Sequence, residues 1–342
     1  MSGMKAHNAI VMNSVKIQTI FMHVTAACNL QCKYCYFPGT HQISGEMTRA
    51  DFRRLWPEVL VTAPTKLVIT GGEPLLRADL LDLIRDFRYV DPHHQVLLCL
   101  NSNGYFVTAE LAASLVGLVD EVRVSLDALA PCNDLMRGKG NFDMAMKAIN
   151  LYRACGFDPK VLVTVTRASL PDLEDLVYLL INQGIFSINI NRFRSVGRGA
   201  NHPEFSVSDA EIQHALTNLR SRLRPNEIIT PIPQVTGMQC HCGIGRFLNI
   251  IPNGDVFPCH VLMQPEFRIG NVREQPLGVI CRPDGVLGQL AALDFRVMSQ
   301  ADAACANLTQ PGVCLGEVYT RSASNHVWGR FLPTSPNPPS PP

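Results

Sequence analysis

A chain of 342 residues with 46% hydrophobic content can bury a large α/β core and a smaller second one, which excludes a wholly disordered protein. A formal net charge of +1 excludes the broad basic field of a nucleic-acid or anionic-membrane binder, so partners must be read from sites. The N-terminal segment has no uninterrupted apolar stretch and no later run is long enough to span a bilayer; the twelve cysteines therefore read as belonging to a cytoplasmic protein, where clustered thiols hold metal more often than they pair.

After an N-terminal extension over 1–18, β-rich runs alternate with helical patterns as far as about residue 193, the signature of βα units around a parallel sheet. The strands are "TIFMHVT" (19–25), "KLVIT" (66–70), "QVLLCLN" (95–101), "EVRVSLD" (121–127), "KVLVTVT" (160–166) and "FSININ" (186–191). Amphipathic stretches such as "TRADFRRLWPEVL", "RADLLDLIRDFRYV" and "NFDMAMKAINLYRACG" lie between them. Six such units are too few to close an eight-stranded barrel, so the expected fold is α/β, a partial (β/α)6 barrel over 19–200 with one open side. Every strand runs into polar or glycine-rich residues: the cysteine stretch, "TGGEP", "NSNG", "SLD", "TVTR" and "NRFRSVGRG". In barrels of this kind that rim carries the active site. A helix capped by Ser208 and the Pro-rich joint "PNEIITPIPQ" fill 201–235; short strands follow, with Asn253-Gly254 a hairpin signal, and 326–342 is a Pro-rich tail that reads as disordered.

The stretch "CNLQCKYCYF" (28–37) supplies three thiolates, Cys28, Cys32 and Cys35. Structural zinc and electron-carrying iron-sulfur sites take four protein ligands, so a set of three leaves a metal position open for chemistry. A non-catalytic iron-sulfur or zinc-binding scaffold is the reading of another class.

Together with "GGEP" at 71–74, the CxxxCxxC triplet resembles the radical S-adenosylmethionine (SAM) enzymes over roughly 19–200. The resemblance implies a 4Fe-4S cluster on the three cysteines, with SAM chelated to its fourth iron and cleaved reductively to a 5′-deoxyadenosyl radical. It further implies that Tyr34 packs beside the adenine, that Gly71 and Gly72 allow close approach, and that Glu73 accepts hydrogen bonds from the methionyl amino group. Asn101 and Asn103 of "NSNG", with Ser125 and Asp127, match SAM-contacting segments, and Arg137 would grip the methionyl carboxylate.

Residues 236–325 resemble a SPASM or twitch domain, a small C-terminal domain carrying auxiliary iron-sulfur clusters. Leu308 and Val318 stand where that pattern has cysteines, which implies one auxiliary 4Fe-4S cluster on Cys242, Cys259, Cys305 and Cys314, with Cys240 as a substitute. His241 and His260 flank these cysteines and read as supporting residues, whereas Cys99, Cys132 and Cys155 fall in patterns without partners.

The first strand begins too early to leave room for the peptide-recognition domain of many maturases in this group. The expected substrate is therefore a small polar molecule such as a sugar, nucleoside or aminocyclitol, dehydrogenated, epimerised or decarboxylated. Asn189, Asn191, Arg192 and Arg194 on the last strand, with Arg198 beyond it, suit hydroxyls and carboxylates. The alternative is a maturase of a ribosomally made precursor peptide. A reductase such as flavodoxin or ferredoxin is the further partner expected, with neither nucleic acid nor membrane.

Overall fold

The computed structural model describes residues 15–37, 45–222 and 244–291. The Pro-rich joint, Cys240, His241, Cys242, Cys305, Cys314 and the tail lie outside the described residues.

The six expected strands form within two residues of their sequence bounds: β1 (Thr19–Thr25), β2 (Lys66–Gly71), β3 (Leu97–Ser102), β4 (Glu121–Ser125), β5 (Lys160–Val165) and β6 (Ile188–Arg192). Helices α1 (Arg49–Thr62), α2 (Leu80–Val90), α3 (Ala109–Leu115), α4 (Ala130–Arg137), α5 (Asn141–Ala154) and α6 (Leu173–Asn182) connect them. Neighbouring strands from β1 to β6 pair in parallel and in sequence order. Helix α7 (Asp209–Arg222) opens with the expected cap: the Glu211 N–H donates to Ser208 Oγ at 3.2 Å, and the Ser208 N–H to the Glu211 carboxylate at 2.9 Å.

The Asn253-Gly254 turn joins β7 (Phe247–Ile250) to β8 (Asp255–Phe257), and β9 (Gly270–Asn271) follows. This hairpin continues the barrel sheet: β7 pairs in parallel with β1, giving nine strands in the order β6-β5-β4-β3-β2-β1-β7-β8-β9. The sheet stays open, with β6 and β9 at its edges.

Strand periodicity sorts the residues into two faces. Ile20, Met22, Leu67, Ile69, Leu98, Leu100, Val122, Val124, Val161, Val163, Ile188 and Ile190 share one buried apolar core with Phe52, Trp56, Phe87, Ile149 and Leu176 of the helices. The intervening positions, including His23, Thr70, Asn101, Arg123, Ser125, Thr164, Asn189 and Asn191, put polar groups on the opposite face. Its floor is closed by charge pairing: Glu121 takes Arg123 and, at 2.8 Å, Lys160.

Where β2 ends, its exit lies against the chain leading to Cys28. The Gly72 N–H donates to Thr25 O at 2.8 Å and the Glu73 N–H to Ala27 O at 2.7 Å. A Cβ on Gly72 would stand 2.1 Å from Ala27 O, inside backbone that has no room to yield. Gly72→Ala should therefore lower unfolding free energy by about 1–3 kcal/mol, measured by urea denaturation of the metal-free chain. An unchanged midpoint would show that the backbone at this seam yields to a methyl group at little cost.

Candidate functional site

Cys28, Cys32 and Cys35 occupy the loop after β1, each half-buried. The Cys28 sulfur accepts from the Leu30 N–H at 3.4 Å, and the Cys35 thiol donates to Phe37 O at 2.7 Å. Burial raises the pKa of Cys28 and pushes Cys32 up to about 11, and charge on the neighbouring thiols adds to both shifts. Three soft sulfur donors on one loop, of which Cys28 and Cys32 resist ionisation unless a cation is present, are the right chemistry for a metal cluster. Among the described residues no three His, Cys, Asp or Glu side chains converge as they would around a single ion.

The loop is clamped from both sides. Arg198 donates its N–H to Cys35 O and its Nε to Cys32 O, each at 2.9 Å. Gly197 is in the left-handed region at φ 57°, where a Cβ would meet Tyr36 O at 2.4 Å. From the other side the Lys33 N–H donates to Met136 O at 3.0 Å, at the end of α4. Arg198, expected among the substrate-binding arginines, is thus a positioning residue for the cysteine loop.

Asp127 is the centre of the site. Arg137 grips it with two bonds, Nε to Oδ2 at 2.6 Å and Nη2 to Oδ1 at 3.0 Å. The Tyr34 hydroxyl also donates to Oδ2, and the Thr164 N–H donates to Oδ1 at 2.8 Å. The guanidinium stands 5.5 Å from the centroid of the Tyr34 ring. Arg137, expected to hold a ligand carboxylate, has its fork on a carboxylate of the protein itself. Tyr34, expected beside adenine, has its hydroxyl on the same group.

Glu73 is 1% exposed and accepts three hydrogen bonds: Oε1 from Leu75 N–H at 3.1 Å and Ser102 Oγ at 3.0 Å, and Oε2 from Asn103 N–H at 2.7 Å. Burial nevertheless pushes its pKa up to about 7. Asn103 Nδ2 reaches Asn29 at 2.8 Å, within the cysteine loop. A buried chain continues from Asn103 O to Asn141 Nδ2 at 3.0 Å, from Asn141 to Asn133 at 3.3 Å, and from Asn133 Oδ1 to the Asp127 N–H at 3.0 Å. Asn133 and Asn141 escaped the sequence reading because asparagine on a helix is normally solvated, and periodicity does not mark the exceptions.

The remaining expected residues divide. Asn101 carries a buried Oδ1 with no partner among the described residues, an acceptor open to a ligand, and Ser125 lies on the same face one strand away. Asn189 and Asn191 line that face on β6, while Arg192 alternates to the other side; burial lowers the pKa of His260, and the charge of the nearby Arg194 lowers it further. Cys259 is 2% exposed, with its sulfur 3.9 Å from His260 Nδ1. Cys99 accepts a hydrogen bond from Arg123 Nη2 at 3.3 Å.

Two measurements test this electrostatic picture. Arg137→Met would strand the Asp127 carboxylate in the interior and should cost about 3–5 kcal/mol in urea denaturation, with much of the loss recovered in Arg137→Met/Asp127→Leu; a loss no larger in the single variant than in the double would remove the ion pair from its central place. For Glu73 the folded pKa of about 7 lies above the ordinary 4.5, so the native state holds an extra proton between those pH values. Stability should fall as pH rises through that window, by up to about 3 kcal/mol, and Glu73→Gln should flatten the slope. An equal slope in the variant would contradict the assignment.

The model of the Radical SAM superfamily matches residues 22–190, and that of an iron-sulfur cluster-binding domain, SPASM, matches 240–314, a span bounded by Cys240 and Cys314. Mycofactocin maturase MftC of Mycobacterium tuberculosis is 31% identical over 266 residues, covering 73% of this chain; the chain spans 66% of that protein's length. The maturase of Mycobacterium ulcerans is 32% identical over 264 residues, covering 73% of this chain and 70% of the relative. An AdoMet-dependent heme synthase of Oleidesulfovibrio alaskensis is 28% identical over 357 residues, covering 92% and 87%. Among solved structures, anSMEcpe with bound AdoMet and the Cp18Cys peptide superposes with a TM-score of 0.69 at 16% identity, over 92% of this chain and 95% of that one. Streptococcus suis SuiB bound to precursor peptide SuiA gives 0.65 at 14%, over 82% and 68%. With the cysteine loop, the Gly-Gly-Glu seam and the open parallel sheet, these matches place the chain in the radical SAM superfamily, in the branch that carries a C-terminal SPASM domain.

Proposed function

We propose that the protein is a radical SAM enzyme that modifies a ribosomally made precursor peptide. The observation that carries this reading is its 31–32% identity to the mycobacterial maturases. It displaces the small polar substrate favoured by sequence alone, which rested on the early position of the first strand. The open sheet supports it: β6 is an edge with no described strand beyond it, and Asn189 and Asn191 present amides that both donate and accept toward a peptide backbone.

Cys28, Cys32 and Cys35 would hold the catalytic 4Fe-4S cluster, and the group would supply reductive cleavage of SAM. Glu73, Asn101, Asn103 and Ser125 border the space for SAM, and Tyr34, Asp127 and Arg137 brace it. Glu73 fixes the β2 exit and the "NSNG" segment against each other, so both arrive at the cysteine loop in one geometry. Cys242, Cys259, Cys305 and Cys314, with Cys240 as the substitute, are the proposed ligands of one auxiliary cluster. A second reading, a tetrapyrrole substrate, is favoured by the heme synthase match across 92% of this chain.

Reconstituted under anaerobic conditions, wild type should bind about eight irons and the Cys28/Cys32/Cys35→Ala variant about four; a wild-type value near twelve would mean a second auxiliary cluster. With dithionite and SAM, wild type should release 5′-deoxyadenosine and change the mass of a precursor peptide encoded beside its gene, and the triple variant should do neither. Persistent 5′-deoxyadenosine release by the triple variant would refute the catalytic assignment. Conversion of a porphyrin with no change in the peptide would select the second reading.

A further inference from the structure

The floor of the polar sheet face carries more positive charge than its own carboxylate can balance. Lys66 of β2, Glu121 and Arg123 of β4 and Lys160 of β5 alternate with the core residues Leu67, Val122 and Val161, so all four lie on the face that holds Asn101 and Ser125. Glu121 is engaged on both oxygens: Oε1 accepts from Arg123 Nε, and Oε2 from Lys160 Nζ at 2.8 Å. The Lys66 ammonium has no hydrogen bond or ion pair among the described residues, and Arg123, bonded through Nε and Nη2, has none on Nη1. We propose that Lys66 and Arg123 bind a carboxylate of the precursor peptide inside the open barrel, one layer of side chains below Ser125. The proposal rests on the maturase reading and names the group by which that peptide is held.

Three observations point to a carboxylate. The first is charge balance: Lys66, Arg123 and Lys160 face Glu121 alone, which leaves two positive charges over. The Cys99 thiol between them does not offset these, because burial pushes its pKa up to about 11 and it is uncharged at neutral pH. The second is convergence. Arg123 and Lys66 both act electrostatically on that fully buried thiol, and β3, which carries it, pairs with β2 on one side and β4 on the other. The two cations therefore flank one point from neighbouring strands. Arg123 is 9% exposed, and in so poorly hydrated a place an N–H of a guanidinium gains more from an anion than it would at the surface. The third is depth. Arg123 stands two residues before Ser125, about 7 Å along the strand. A carboxylate held at Arg123 would lie within about two residues of an extended peptide from a carbon at the level of Ser125.

The probe is the precursor peptide encoded beside the gene, titrated calorimetrically into the anaerobically reconstituted enzyme. The same peptide is then amidated at its C-terminus, or has each Asp or Glu changed singly to its amide. One of these neutralisations should weaken binding to wild type by about tenfold, a loss of about 1.4 kcal/mol, and its identity tells a terminal carboxylate from a side chain. Lys66→Met keeps the apolar stem and breaks no pair, and it should bind the native peptide about tenfold more weakly. In Lys66→Met the difference between native and neutralised peptide should shrink to about twofold or less, and Lys66→Arg should restore it. A general loss of structure would weaken both peptides alike and leave their difference intact. Equal binding of native and every neutralised peptide by wild type, or a difference that survives in Lys66→Met, would overturn the carboxylate site and leave the maturase reading standing. No binding of the native peptide by wild type would overturn both.

Discussion

The Asp127 carboxylate holds the site together because it is almost fully buried and cannot stand alone. An isolated carboxylate in that position would cost several kcal/mol, so each oxygen must find charge or N–H groups. It finds them on three separate stretches of chain: Tyr34 in the cysteine loop, Arg137 at the end of α4 and the Thr164 amide on β5. Satisfying one charge thus ties the cysteine loop to the middle of the sheet. Partial satisfaction is the expensive state, which makes the arrangement cooperative.

Glu73 does the same work on the opposite flank with neutral donors. Ser102, Asn103 and Leu75 surround it, and the asparagine chain through Asn141 and Asn133 runs back to the Asp127 amide. The two carboxylates differ in one respect. Asp127 has a guanidinium to balance it; Glu73 has only dipoles, and its pKa rises to about 7. A cation placed beside Glu73 would favour its ionised form, as the guanidinium does for Asp127.

The barrel was legible because strand and helix periods differ so plainly in this sequence, and because the polar residues gather at strand ends. "KLVIT" followed by "GGEP" marks a strand, a turn of unusual closeness and a carboxylate in nine residues, and each has a local cause. The partners of the site were less legible. That Arg137 meets Asp127 depends on α4 folding back over the loop, a long-range fact that no spacing rule contains. The clamp made by Arg198 was hidden for a related reason: an arginine after the last strand looks solvated or substrate-facing until Gly197 brings its backbone against Cys35. The hairpin at Asn253-Gly254 was read correctly as a turn, but its pairing with β1 has no local signature.

That pairing has a consequence for the two cysteine groups. β1 delivers Cys28, Cys32 and Cys35 at its C-terminal end, and β7, in register beside it, leads through the hairpin to Cys259. His23 of β1 donates to Asn249 of β7 at 2.9 Å, locking the two strands on the inner face. Tyr36, next to Cys35, then meets His260, next to Cys259, with ring centroids 5.4 Å apart. Burial drives the pKa of His23 and of His260 down to about 4, so at neutral pH the rings pack as uncharged plates with Phe21 and Phe37. A neutral, closely packed seam has few ways to shift. The catalytic loop and Cys259 therefore share one rigid support, and a change in β1 that moves one must move the other.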